Sequence, residues 1–248
     1  NSDTKPEPVE KEDFVIGFIG GSLTRGGNGS WIILVRRMFE KQYPDKNIVT
    51  VCAGVDGTTS IYGAMRYSQD IAAFNPDVVF IEFAANDDYL ERSQANMYME
   101  SMVRQSLKLK KVPAIIFLYA PQPLEKEKFI EEQGVSMEAK EEVAKAYGLT
   151  SINIYDYMYD CFLEKQKEDP TVTFDKFISN YYSRSGTGYD VHGGYNFYAA
   201  AIEKRFSEDF EGTLTKPRDI STKTNSVIAN YRYQLINAAH PRISYSKG

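Results

Sequence analysis

The chain is poor in several things that would fix its class at once. It holds two cysteines in 248 residues, Cys52 and Cys161, which excludes a disulfide scaffold. One falls in an expected strand and the other in an expected helix, so they read as two buried free thiols. Histidine is equally scarce, with only His192 and His240. Without a cysteine pair at ligand spacing, two histidines do not make a zinc site; no metal or cofactor is expected, and an all-carboxylate metal site is the one kind left open. Basic charge is not in excess, since 29 Lys and Arg against 34 Asp and Glu give a net charge of −5. A nucleic-acid partner needs a basic stripe, and there is none. Long apolar runs are missing too: the stretch 112–121 is too short to span a bilayer and reads as a buried strand.

The sequence does supply apolar mass, 42% of its residues, enough for one sizeable core. Residues 1–13 are polar, charged and proline-bearing and form a linker or a mature N-terminal tail; a secreted or cell-envelope setting is favoured over the cytoplasm. From residue 14 strand-like and helix-like segments alternate. A strand at 14–20 leads to a helix whose Trp31, Leu34, Val35, Met38 and Phe39 keep the spacing of one helical face, with Ser30 as N-cap. Strands follow at 47–53, 77–85, 114–120 and 151–155. Helices are expected at 60–74, 94–111 and 136–147, the last ended by Gly148, with a charged interruption at 124–134. The segment 165–189 reads as a long surface loop with one helical turn, and a last helix spans 195–210. Such alternation gives a single α/β domain over 14–212 with a parallel, doubly wound sheet, and 213–248 forms an extension that packs on the domain or leaves it.

The first strand breaks into Gly20-Gly21-Ser22-Leu23-Thr24, which places a hydroxyl at the carboxyl end of the sheet, where open α/β folds keep their chemistry. Three familiar glycine-rich motifs are absent there. Gly21 to Gly26 continues with Gly27-Asn28 instead of the lysine and hydroxyl of a phosphate-binding loop, G-x-G-x-x-G is not completed, and the G-x-S-x-G elbow fails at Thr24. A serine nucleophile needs a base, and His192, in the loop that opens the last helix, is the better placed of the two histidines. Two further strand ends, Ala53-Gly54 and Ala85-Asn86-Asp87, come to the same edge as Ser22.

These residues, in this order, resemble the SGNH (GDSL-type) hydrolases, named for a Ser, Gly, Asn and His in four blocks. Ser22, Gly54, Asn86 and His192 match the blocks in turn, over roughly residues 14–210. The wording Phe80-Ile81-Glu82-Phe83-Ala84-Ala85-Asn86-Asp87, with Glu142-Val143-Ala144 before Tyr147, is similar to a bacterial subgroup linked to removing acyl groups from carbohydrates. The resemblance implies a three-layer α/β/α domain with a five-stranded, flavodoxin-like sheet. It also implies a serine ester hydrolase without a cofactor, acting on a small-molecule or polysaccharide ester.

In that scheme Ser22 is the nucleophile and His192 its base, while the oxyanion is held by the N–H groups of Ser22 and Gly54 and the Asn86 amide. Two departures stand out. Gly21 replaces the family's Asp. The family's acid three residues before the histidine is Tyr189 here, so either Asp190 orients His192 or a backbone carbonyl does and the pair is a dyad. An O-acyltransferase would use the same residues, and a silent carbohydrate-binding protein is the non-enzymatic reading. Tyr181, Tyr182, Tyr189 and Tyr195 are candidates for a sugar platform, and Arg25 and Arg184 for contacts to an anionic group, against the commoner packing and surface roles.

Overall fold

The computed structural model describes residues 11–25, 30–120, 124–182 and 194–220. Its sheet has five parallel strands, β1 (Asp13–Gly20), β2 (Asn47–Gly54), β3 (Val78–Glu82), β4 (Ala114–Tyr119) and β5 (Thr150–Asn153), in the order β2-β1-β3-β4-β5. The reversal of direction beside β1 creates a switch point between β1 and β3, where a doubly wound sheet opens a crevice. β3 and β4 are buried at every position, as expected of strands covered on both faces. Alternate residues feed opposite cores. Ile19, Val79, Ile81, Ile115 and Phe117 pack under α2 (Ser60–Asp70), α3 (Arg92–Leu107) and α4 (Lys126–Tyr147). Ile16, Phe18, Phe80, Ile116 and Leu118 pack under α1 (Trp31–Gln42), the start of α5 (Ile154–Glu168) and α7 (Gly194–Glu208). The fold is therefore the three-layer α/β/α arrangement expected from the sequence.

Several local expectations are corrected. The stretch 124–134 does not interrupt the chain: α4 runs unbroken from Lys126, because its charges lie outward while Phe129 is buried and stacks on Tyr155 with ring centroids 3.5 Å apart. The part of the expected loop that is described, 165–182, is mostly helical. α5 continues to Glu168, and a short helix α6 (Phe174–Phe177), capped by the Thr173 side chain, leads into a π-helical turn at Ile178–Tyr182. Phe174, Phe177 and Ile178 bury against Phe129, Tyr155, Met158 and Phe162 as a third, smaller core. The strand expected at 77–85 ends at Glu82, with a 3-10 turn over Ala84–Asn86. The thiols are free but not buried, with Cys52 exposed and Cys161 half-buried.

Past α8 (Phe210–Thr213) the chain crosses the amino-terminal edge of the sheet: the Ile115 N–H donates to the Thr215 carbonyl, the Arg218 N–H to that of Tyr147, and Ile220 is buried. No helix among the described residues is long and apolar enough to cross a membrane.

Candidate active site

Ser22 opens a 3-10 turn, Ser22–Thr24, directly after β1. The turn is held from below and not by the serine hydroxyl. Thr24 N–H donates to the Gly21 carbonyl and Arg25 N–H to that of Ser22, both at 3.1 Å. The Trp31 indole N–H donates to the Leu23 carbonyl at 2.8 Å. Trp31 is itself fully buried, edge-on to Phe18 and stacked on Tyr198. This packing leaves the Ser22 side chain half-buried at the carboxyl edge of the sheet, with its backbone already fixed.

Gly54 ends β2 opposite Gly20. Its φ is not positive; the reason for glycine here is space, since a Cβ would overlap the Thr24 carbonyl and the Arg25 nitrogen. Only glycine lets the Ser22 turn lie directly on the end of β2. The carbonyls of Gly20 and Ala53, which flank this contact, both accept from the Arg66 guanidinium, at 3.2 and 2.6 Å. Asn86 closes the 3-10 turn after β3. A Cβ on Gly21 would stand 2.5 Å from Asn86 Oδ1, which places the Asn86 amide against the residue before Ser22. Three of the four sequence-predicted site residues are thus gathered at the switch point between β1 and β3 and the adjoining end of β2.

The fourth, His192, lies outside the described residues, as do Asp190, Tyr189 and Arg184. Of the remaining candidates, Arg25 is paired with Asp56 at 2.7 Å on the exposed rim, and Tyr181 is half-exposed with its ring against Phe177. Among the described residues no group of three or more His, Cys, Asp or Glu stands together as a metal site.

Sequence reasoning missed a polar network under the three strand ends. Glu82, the last residue of β3, is fully buried and accepts the Thr24 hydroxyl at 3.1 Å. Asp87 is also fully buried: Oδ1 accepts the Ser60 N–H at 2.9 Å, and Oδ2 lies 3.0 Å from the ammonium of Lys140, which is equally buried. Burial pushes the Glu82 carboxyl up to about 7, and the Asp87 charge adds to this; the Thr24 hydroxyl, Lys140 and the Ala85 N–H act in the opposite direction. Burial also lowers Lys140, against the pull of Asp87. The network thus holds two carboxylates and one ammonium: Lys140 pairs with Asp87, and Glu82 relies on the Thr24 hydroxyl, which is why burial acts on it so strongly.

Glu82 makes stability depend on pH. Its folded pKa lies above the ordinary 4.5, so the folded state binds more protons, and its contribution is full below about 4.5 and lost as pH rises through about 7. The gap corresponds to about 3 kcal/mol. Glu82→Gln keeps an acceptor for Thr24 and removes the titration. In urea denaturation the variant is expected to gain on the wild type by up to that amount between pH 4.5 and 8; parallel stability profiles would refute the assignment.

A sheet of this order with a serine turn, a glycine and an asparagine at its carboxyl edge is the arrangement that the SGNH resemblance implies. Sequence comparison agrees: the pattern of the GDSL-like lipase/acylhydrolase family matches residues 18–173. The chain belongs to that family. The matched range includes Ser22, Gly54 and Asn86 and stops before His192.

No curated protein sequence gives a significant match. Solved structures with the same fold include a two-domain esterase active on acetylated mannans, 22% identical with a TM-score of 0.61, the match covering 83% of this chain and 51% of that one. The present chain therefore spans about half of that protein. Another is an α/β hydrolase from the metagenome of Lake Arreo, Spain (16% identity, TM-score 0.58, 84% and 99% covered). A third is a variant of an acetyl xylan esterase from Geobacillus stearothermophilus (16%, 0.57, 78% and 94%).

Proposed function

We propose that the chain is a serine esterase that removes short acyl groups, acetyl first among them, from a carbohydrate, through Ser22 and His192. His192 takes the Ser22 proton as Oγ attacks the ester carbonyl. The N–H groups of Ser22 and Gly54 and the Asn86 amide hold the oxyanion, and collapse expels the sugar alcohol, which receives the proton from His192. Water, deprotonated by His192, then attacks the acyl-serine; collapse breaks the bond to Ser22 Oγ, which takes the proton back from His192, and the carboxylic acid is released. Asp190 or a backbone carbonyl steadies the imidazole.

The single observation that carries this reading is the packing of the Ser22 turn onto Gly54 and of Asn86 against Gly21, because an oxyanion site needs its donors fixed before reaction. An amide at 86 also donates where a carboxylate would repel. The carbohydrate part rests on the acetylated mannan and xylan named for the structurally similar esterases.

The expected result is acetate release from at least one member of a panel of acetylated polysaccharides, with acetyl esters hydrolysed faster than butyryl and longer ones. A strong preference for long chains would replace the deacetylase reading with a lipase-like one. Acyl transfer to an added sugar in preference to water would identify an O-acyltransferase.

A further inference from the structure

The best-buried ion pair in the described structure lies beneath the proposed oxyanion site. Asp87 follows Asn86 directly, and the N–H groups of both donate to the Phe83 carbonyl at 3.1 Å. The Asp87 carboxylate has two tasks. Through Oδ1 it accepts the N–H of Ser60, the first residue of α2, reached from Gly54 by the short loop 55–59. Through Oδ2 it meets Lys140. One carboxylate thus ties the Asn86 turn to the element that follows Gly54, and two of the three proposed oxyanion donors share it as an anchor.

Lys140 comes from the middle of α4, on the face that carries Ala139, Val143, Ala144 and Tyr147 into the core. Its ammonium is fully enclosed and fixed on the other side by Ser136 Oγ at 2.5 Å. The charged groups around it are Asp87, Glu82 and Asp88. A lysine that served only to fill α4's core face would be better replaced by an apolar residue, since burying an ion pair gains little over well-packed hydrophobic side chains. What the pair does supply is a direction: an ammonium at a fixed point sets where the Asp87 carboxylate sits, and with it Asn86.

We infer that Lys140 is a positioning residue for ester hydrolysis, acting through Asp87 to hold the Asn86 amide in the geometry that receives the oxyanion. The inference rests on the proposed role of Asn86. Misplacing a catalytic group by about 1 Å costs roughly 10²-fold in rate, comparable to the loss of an oxyanion donor.

The test is a mutant cycle on purified protein with p-nitrophenyl acetate. Lys140→Met is expected to lower kcat at least about tenfold and toward 10²-fold while KM stays within about threefold. In an Asn86→Ala background the same change is expected to alter kcat by less than about threefold, because the group it positions is gone. A wild-type kcat in Lys140→Met, or an equal further loss in the Asn86→Ala background, overturns the inference and leaves the Asn86 reading intact. A wild-type kcat in Asn86→Ala alone overturns the Asn86 reading, and the inference with it. Should Lys140→Met fail to fold, Asp87→Asn combined with Lys140→Met removes both members of the ion pair and keeps an acceptor for the Ser60 N–H. The same loss in kcat, absent again without Asn86, supports the inference, and a wild-type kcat refutes it.

Discussion

Ser22→Ala is expected to lower kcat for p-nitrophenyl acetate by about 10⁵- to 10⁶-fold, the loss seen when the nucleophile of an acyl-transfer enzyme is removed. Folding should be untouched. The turn is secured by the Thr24 and Arg25 amides and by the Trp31 indole on the Leu23 carbonyl, none of which uses the serine hydroxyl. An unchanged melting temperature beside the lost rate would therefore assign the effect to chemistry. A residual rate above the uncatalysed one is also expected, since the oxyanion donors still favour the tetrahedral state when water is the attacking group. Equal rates for the variant and the wild type would remove Ser22 from the mechanism.

His192→Ala is expected to produce a loss of similar size, about 10⁴- to 10⁶-fold in kcat, because the serine proton then has no acceptor. The informative variant is the double one. Nucleophile and base work as a unit, so Ser22→Ala with His192→Ala should be no slower than the worse single variant by more than about threefold. Multiplying losses would mean that the two residues act in separate steps or sites. If His240 supplied the base instead, His192→Ala would keep most of its activity. Asp190→Ala, measured alongside, distinguishes triad from dyad: an unchanged kcat would leave a backbone carbonyl as the support of the imidazole.

The parts of the site that could be read from sequence are those written as punctuation. Apolar runs ending in Gly-Gly-Ser, Ala-Gly and Ala-Ala-Asn announce three strand ends, and parallel order brings them to one edge, as the structure finds for Ser22, Gly54 and Asn86. The network below them is written in letters that usually mean surface. Lys140 stands in a run of Glu, Lys and Ala, and its burial shows only in register: it shares a helical face with Ser136, Val143, Ala144 and Tyr147. Glu82 gave a clearer signal, a lone carboxylate inside a strand otherwise apolar and wholly buried.

The small aromatic core over 155–178 was hidden for another reason. Phe174, Phe177 and Ile178 make a helical stripe, but α6 is only four residues long, too short for periodicity to register. The charged start of α4 reads as an interruption because its anchor, Phe129 on Tyr155, is a tertiary contact that no local pattern contains.

The close approach of Gly21 to Asn86 separates two kinds of tolerance. A methyl group at position 21 would press on Asn86 Oδ1, the far end of a side chain that can swing aside with little harm to packing. The fold gives way at the amide that the proposed oxyanion site needs to stand still. A screen for folded, heat-resistant protein would pass substitutions at position 21 freely, and a screen for turnover would reject them, so stability selection is blind to this position.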